Sequence, residues 1–304
     1  MKQSDLNALP GDDINQSPLA DQLGELQQRR LIYTAPPPPL PRRTRVISVS
    51  NQKGGVGKTT TTVNFAAALA HAGARVLVID LDPQGNASTA LGIDHHGDIP
   101  GIYEVLIGEA SLADVIKPST EPGALFCVPS NIHLAGAEIE IIDRERREFL
   151  LRAVLEKFLS DPKQSFHYVL IDCPPSLGLL TINAFVAAQE VLLPIQCEYY
   201  ALEGMAQLLD TMRRIQAHLN PGLTLSTILL TMFDSRTRLA QEVADEVRNN
   251  FPREVLATII PRTVRVSEAP SFGRSIISHD PGSLGAVSYM EAAYEMAART
   301  GPWS

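Results

Sequence analysis

Cysteine is scarce in this chain. The three present, Cys127, Cys173 and Cys197, are odd in number and show no CxxC spacing. That argues against a disulfide framework or a zinc site and fits a reducing cytosol. Long apolar runs are also missing. No uncharged apolar stretch approaches ~18 residues, so no transmembrane helix is expected. Residues 1–10 are polar and acidic and lack the apolar core of a secretory signal. Positive charge is in deficit: 26 Lys and Arg face 34 Asp and Glu, a formal net charge of −8. Such a sum counts against nucleic-acid binding, because phosphate contacts need positive charge, yet a local basic patch can override it. What remains is a globular composition, 44% hydrophobic and 20% charged over 304 residues. That is enough for a sizeable core in one large domain or two ordinary ones.

The chain divides near residue 45. Residues 1–45 are polar and proline-rich, ending in Ala35-Pro36-Pro37-Pro38-Pro39-Leu40-Pro41 and then Arg42, Arg43 and Arg45. The simple expectation is a disordered, flexible N-terminal tail with a polyproline spacer. A second reading puts a helix over 17–33, with Ser17 as cap and Pro18 at the first position. Leu19, Leu23 and Leu26 would share a face for docking a partner, and Gly24 weakens it. From residue 46 onward strand and helix patterns alternate. Strands are expected at 46–50, 75–80, 168–172, 191–195 and 225–230. Helices are expected at 59–71, 146–159, 202–219, 240–250 and 284–298. Short apolar strands separated by helices predict an α/β domain over 46–304, a mostly parallel twisted sheet with helices on both faces.

The strand at 46–50 runs into Asn51-Gln52-Lys53-Gly54-Gly55-Val56-Gly57-Lys58-Thr59-Thr60 and then into a helix. This is the context of a phosphate-binding loop, so a P-loop NTPase fold is expected. The glycines let backbone N–H groups turn towards phosphate oxygens, and the helix N-terminus adds positive potential. Lys58 should reach the β- and γ-phosphates of a nucleotide, and Thr59 should ligate Mg²⁺. A glycine turn with a chance lysine is the competing explanation, and the flanking strand and helix disfavour it. The loop departs from G-x-x-x-x-G-K-[ST]. Gln52 replaces the first glycine, and a second lysine, Lys53, opens the loop. A lysine there cannot easily fold back onto its own nucleotide. It is placed to cross a dimer interface and neutralise the opposite subunit's phosphates.

Lys53-Gly54-Gly55-Val56-Gly57-Lys58-Thr59-Thr60 resembles the deviant Walker A motif of the ParA/MinD ATPases. Asp80-Leu81-Asp82-Pro83-Gln84-Gly85-Asn86, Asp172-Cys173-Pro174-Pro175-Ser176-Leu177-Gly178 and Pro261-Arg262-Thr263-Val264-Arg265-Val266-Ser267-Glu268-Ala269-Pro270 resemble the chromosome-partitioning ParA (Soj) branch. The likeness runs from about residue 46 to the C-terminal helix and does not cover the first 45 residues. It implies a Mg²⁺-dependent ATPase that forms a homodimer with ATP and binds DNA without sequence preference. A ParB-type centromere-binding partner would then stimulate hydrolysis. The implied location is cytoplasmic and nucleoid-associated.

The resemblance assigns the water-orienting role in hydrolysis to Asp82, and a loop aspartate capping the turn before Pro83 is the plain alternative. Asp80, at the strand end, reads as structural or outer-sphere to the metal. Tyr168-Val169-Leu170-Ile171-Asp172 is an apolar strand ending in aspartate, the Walker B pattern, so Asp172 can hold Mg²⁺ through water. Cys173 reads as a small buried residue. An iron–sulfur role, as in the related nitrogenase iron protein, would need a second suitably placed thiolate. Thr231-Met232-Phe233-Asp234 lacks the lysine of a guanine-reading motif. By resemblance, adenine is held largely by backbone near Pro261 and Arg262. Arg236 and Arg265 match the family's DNA-contacting arginines, against the bland reading of solvated loop residues. A MinD-like membrane switch would need a basic amphipathic C-terminal helix, and one arginine followed by a Gly-Pro pair is poor equipment for it. No membrane contact is therefore expected. A metabolic P-loop kinase would need a substrate pocket for which no motif is visible.

Overall fold

The computed structural model describes residues 18–97, 99–199 and 201–299. The chain separates into two units, Met1–Ala35 and Pro36–Ser304. In the first, helix α1 (Pro18–Arg29) passes into a 3-10 turn (Arg30–Tyr33). Of the two expectations for this segment, the described part follows the helical one. Pro18 takes the first helical position, where no backbone N–H is needed. Ser17, the expected cap, and the rest of 1–17 lie outside the described residues.

The second unit is an α/β layer structure. In chain order it contains β1 (Arg45–Val49), α2 (Lys58–His71), β2 (Arg75–Asp80), α3 (Asn86–Ala90), α4 (Ile102–Ile107) and α5 (Leu112–Val115). Then come β3 (Lys117–Pro118), β4 (Ala124–Val128), α6 (Leu134–Ile141), α7 (Leu150–Leu159), β5 (Tyr168–Asp172) and α8 (Leu179–Ala187). The chain continues through β6 (Glu190–Gln196), α9 (Ala201–His218), β7 (Thr224–Thr231), α10 (Arg238–Asn250), α11 (Val264–Glu268), α12 (Ile276–His279) and α13 (Leu284–Ala298). The strands form a seven-stranded sheet ordered β3-β4-β2-β5-β1-β6-β7. All its pairings are parallel except β3–β4. β1 and β5 are buried at every position, so both faces of the sheet centre are covered. α2 and α13 pack together, with Phe65 and Tyr289 edge to face at 6.3 Å.

The register sets up the site. β5 lies between β1 and β2, with Val49 and Asp80 both opposite Asp172. The carboxyl ends of three adjacent strands are therefore level, and the loops that leave them converge.

Several expectations are corrected. The helix expected over 146–159 begins later: Arg146 is left-handed (φ 56°), a 3-10 turn covers Arg147–Phe149, and α7 follows. β3, β4 and the short helices α3 to α6, α8, α11 and α12 had no reading in the sequence. β3 and the helices α3, α4, α5, α11 and α12 are too short for a hydrophobic period to develop. Arg45 belongs to β1, not to the linker. It is 2% exposed, and its guanidinium clasps Glu190 of β6 through Nε–Oε1 at 2.7 Å and Nη2–Oε2 at 2.8 Å. Its Nη1 donates to the Met296 carbonyl of α13 at 3.2 Å. Arg45→Ala should cost about 3–5 kcal/mol, because Glu190 would stay buried without a counter-charge. Urea denaturation checks this, and Arg45→Met with Glu190→Leu should recover most of the loss.

Candidate functional site

The loop after β1 reaches α2 through two glycines in left-handed backbone, Gly55 (φ 74°) and Gly57 (φ 89°). A side chain at either would be strained. No atom lies within 4 Å of where a Cβ on Gly54 or Gly55 would sit, so the loop's surface is open there. Among the described residues, none accepts a hydrogen bond from the N–H of Gly54, Gly55 or Gly57. Three such donors beside a helix N-terminus are an arrangement that favours an anion. Lys58, the first residue of α2, is 7% exposed, and its Nζ donates to the Lys53 carbonyl at 3.4 Å. Burial pushes the ammonium below its usual range, and the nearby carboxylates of Asp172 and Asp82 oppose the shift.

Asp172 closes the site from β5. Its side chain is fully buried, with Thr59 Oγ1 donating to Oδ2 at 2.7 Å and Thr62 Oγ1 to Oδ1 at 3.0 Å. Burial and the neighbouring Asp80 carboxylate raise its pKa, and the two hydroxyls oppose the rise. Asp80 is spoken for structurally: its Oδ2 accepts from the N–H and hydroxyl of Ser88 at 2.8 and 2.7 Å. Asp82 is 8% exposed. Its Oδ1 caps the turn by accepting from the Gln84 N–H at 3.0 Å. Its Oδ2 has no donor among the described residues. One oxygen is anchored and the other is available.

The donor set therefore fits a nucleotide polyphosphate with a hard divalent cation. Amides and an ammonium face an anion, and a hydroxyl and a carboxylate side by side are oxygen ligands of the kind Mg²⁺ takes. Among the described residues, no group of three or more His, Cys, Asp or Glu side chains could hold a metal by itself. The three cysteines are free and buried. Burial pushes the Cys173 thiol up to about 12, and Ser48 Oγ lies 3.2 Å from its sulfur, so it sits as a packed, neutral thiol.

The other predicted residues lie around this centre. Lys53 is one-third exposed and pairs with Glu198, just past β6, at 2.9 Å. Pro261 and Arg262 line a cavity of about 510 Å³ that Gly57 and Thr60 also line. Met232 lines it too, in left-handed backbone (φ 51°), and Thr231 Oγ1 donates to the Val56 carbonyl at 2.9 Å. Arg236 and Arg265 follow, by three and four residues, the two segments that the bridge between Phe233 and Pro261 joins beyond β7. Both are exposed, and both have acidic neighbours. Arg236 holds Asp234 in a fork at 2.8 and 2.7 Å, which keeps that carboxyl down at about 2. Arg265 lies 3.7 Å from Glu268 and 3.8 Å from Asp280. Sequence reasoning missed Thr62, Ser88 and Glu198. Thr62 had a signal, since three residues after Thr59 it shares that residue's face of α2.

Fold and site together define a P-loop nucleotide-binding ATPase. A family model described as an AAA domain matches residues 44–225. The sporulation initiation inhibitor protein Soj of Bacillus subtilis is 51% identical over 84% of this chain and 98% of its own length. The chromosome partitioning protein ParA of Myxococcus xanthus is 48% identical over 86% of this chain and 90% of its own. A solved structure titled cobyrinic acid a,c-diamide synthase from Mycobacterium smegmatis, with bound ATP analog and magnesium, superposes with a TM-score of 0.71. It is 40% identical and covers 83% of this chain and 93% of its own. The chain belongs to the Soj/ParA family of chromosome-partitioning ATPases.

Thr62→Val should leave Asp172 Oδ1 buried without its donor and lower stability by about 1–3 kcal/mol. Thermal denaturation of the nucleotide-free protein measures it.

Proposed function

We propose that this chain is a ParA-type partition ATPase working as an ATP-dependent dimer switch on DNA. The observation that carries the reading is the division of labour between two lysines of one loop. Lys58 is 7% exposed inside the cradle, while Lys53 stands one-third exposed at its lip. Lys58 and the amides of Gly54, Gly55, Val56 and Gly57 bind the nucleotide's phosphates. Thr59 and Asp172 would hold Mg²⁺, which would supply positive charge against the phosphates. The free oxygen of Asp82 orients the attacking water. Backbone near Pro261 and Arg262 receives adenine in the adjoining cavity. Lys53 leaves Glu198 and reaches the phosphates of a second copy, offsetting repulsion between two facing nucleotides. Dimerisation doubles the arginine surface around Arg236 and Arg265, and non-specific phosphate binding there holds the dimer on the nucleoid. A ParB-type partner stimulates hydrolysis and release. The partition reading is preferred to a cobyrinic acid amidation because the Soj relative is more identical, at 51% against 40%.

Co-sedimentation with DNA or anionic vesicles, in ATP, ADP or no nucleotide at two salt concentrations, tests the reading. DNA should pellet the protein only with ATP, and less at the higher salt. ATP-dependent vesicle binding without DNA binding would replace it with a MinD-like membrane switch. Arg236→Glu and Arg265→Glu should each abolish DNA pelleting and leave ATP-driven dimerisation and basal hydrolysis intact.

Lys53→Ala should bind ATP as a monomer, dimerise weakly and hydrolyse slowly, as read by light scattering and phosphate release. Glu198→Gln should do the reverse. It frees Lys53 from an exposed pair worth up to about 1 kcal/mol, so dimer affinity should rise a few-fold.

A further inference from the structure

The loop that carries Asp82 is short and closed by its own backbone. Gly85 N–H donates to the Asp82 carbonyl at 2.9 Å, and Gly85, in left-handed backbone (φ 64°), starts α3. The Gly85 carbonyl accepts from the Thr89 N–H at 2.9 Å and from Thr89 Oγ1 at 3.1 Å. So the position of Asp82 depends on where Gly85 sits, and Gly85 is pinned from the α3 side by Thr89.

His95 lies ten residues beyond Gly85, outside every motif read from the sequence. Its ring rests directly on Gly85: a Cβ there would stand 2.3 Å from His95 Cε1 and 2.6 Å from Nδ1. Its Nε2 lies 2.9 Å from Thr89 Oγ1. The Thr89 hydroxyl stands between the Gly85 carbonyl and Nε2, and the ring's tautomer sets which of the two receives its single proton; in either case one hydrogen bond joins the imidazole to Oγ1. The same imidazole thus packs on the Gly85 α-carbon and fixes the hydroxyl that holds the Gly85 carbonyl. Its outer side is covered by His96, with ring centroids 4.5 Å apart. Thr89 also lines a cavity of about 260 Å³ that Thr59 and Thr60 of the P-loop border, so the bracket stands immediately behind the phosphate site.

We infer that His95 is a positioning residue for ATP hydrolysis, bracing Gly85 and Thr89 so that Asp82 is held where it orients the attacking water. The inference rests on the role proposed for Asp82. His95 touches no phosphate-binding group. It acts on the geometry of one turn, so its loss should appear in turnover and not in nucleotide binding. Glutamine can replace it in part, because its side-chain amide supplies a hydrogen-bonding group at similar reach. Alanine supplies neither the hydrogen bond nor the packing.

The test is steady-state ATPase with ATP binding, ATP-driven dimerisation and thermal midpoint measured on the full chain. The variants are His95→Ala, His95→Gln, Thr89→Val, the His95→Ala/Thr89→Val double and Asp82→Ala. His95→Ala should lower kcat about tenfold, the order of loss that a small misplacement of a reacting group brings. KM for ATP and dimerisation should stay within twofold. His95→Gln should recover most of the loss. Thr89→Val should reproduce it, and the double variant should be no worse than either single one, since both break one bracket. The inference is overturned if His95→Ala turns over within twofold of wild type while Asp82→Ala is inactive. It is equally overturned if His95→Ala loses kcat and ATP binding together and glutamine restores neither. Asp82→Ala hydrolysing near the wild-type rate would instead remove the Asp82 role itself, and this inference with it.

Discussion

The buried carboxylate of Asp172 is the constraint on which the rest of the site depends. A carboxylate with no exposed surface, at the carboxyl end of the middle strand of a covered sheet, is satisfied here by protein donors. Thr59 and Thr62 of α2 provide them. That requirement sets the rotation of α2 about its axis, because only one face carries both hydroxyls. With α2 fixed, the glycine loop before it and the Lys58 side chain fall into place over the strand ends. The level register of β1, β5 and β2 then brings Asp80 and the Asp82 turn to the same edge. Asp80 beside Asp172 is a like-charge strain that the Ser88 donors offset.

The net charge of the chain does not fix the charge of each segment. The net charge of −8 is spread over the whole chain, whereas the loop after β7 carries Arg236 and the segment after Pro261 carries Arg262, Arg265 and Arg274. Their acidic neighbours are on the same short segments: Asp234 beside Arg236, and Glu268 and Asp280 beside Arg265. Exposed pairs of this kind are weak and screened by salt. They leave the arginines oriented and exchangeable. The pairing of Lys53 with Glu198 has the same character, and it replaces the expectation that this lysine simply awaits a partner subunit with one in which it first has to let go of its own chain.

Much of this was legible before any coordinates. The run from Lys53 to Thr60 and the apolar strand ending in Asp172 carry their chemistry in contiguous residues. A backbone turn, a helix start and a strand end are local events, set by glycine freedom, capping and β-branched patterning. The α/β class followed from the same alternation, and so did five of the strands to within a residue or two. Local spacing had no means of showing the partners of those residues. Arg45 read as the end of a basic linker, yet it clasps Glu190 across the sheet and belongs to the core. Ser88, Glu198 and His95 are ordinary residues in sequence. They acquire a role only because strand order and register bring distant segments within hydrogen-bond reach. The sequence by itself determined which residues can bind phosphate and metal, because those preferences are intrinsic to side chain and backbone. The tertiary structure alone decided which charges are buried, which are paired and which oxygen of Asp82 is left free, because desolvation and contact depend on neighbours that are remote along the chain.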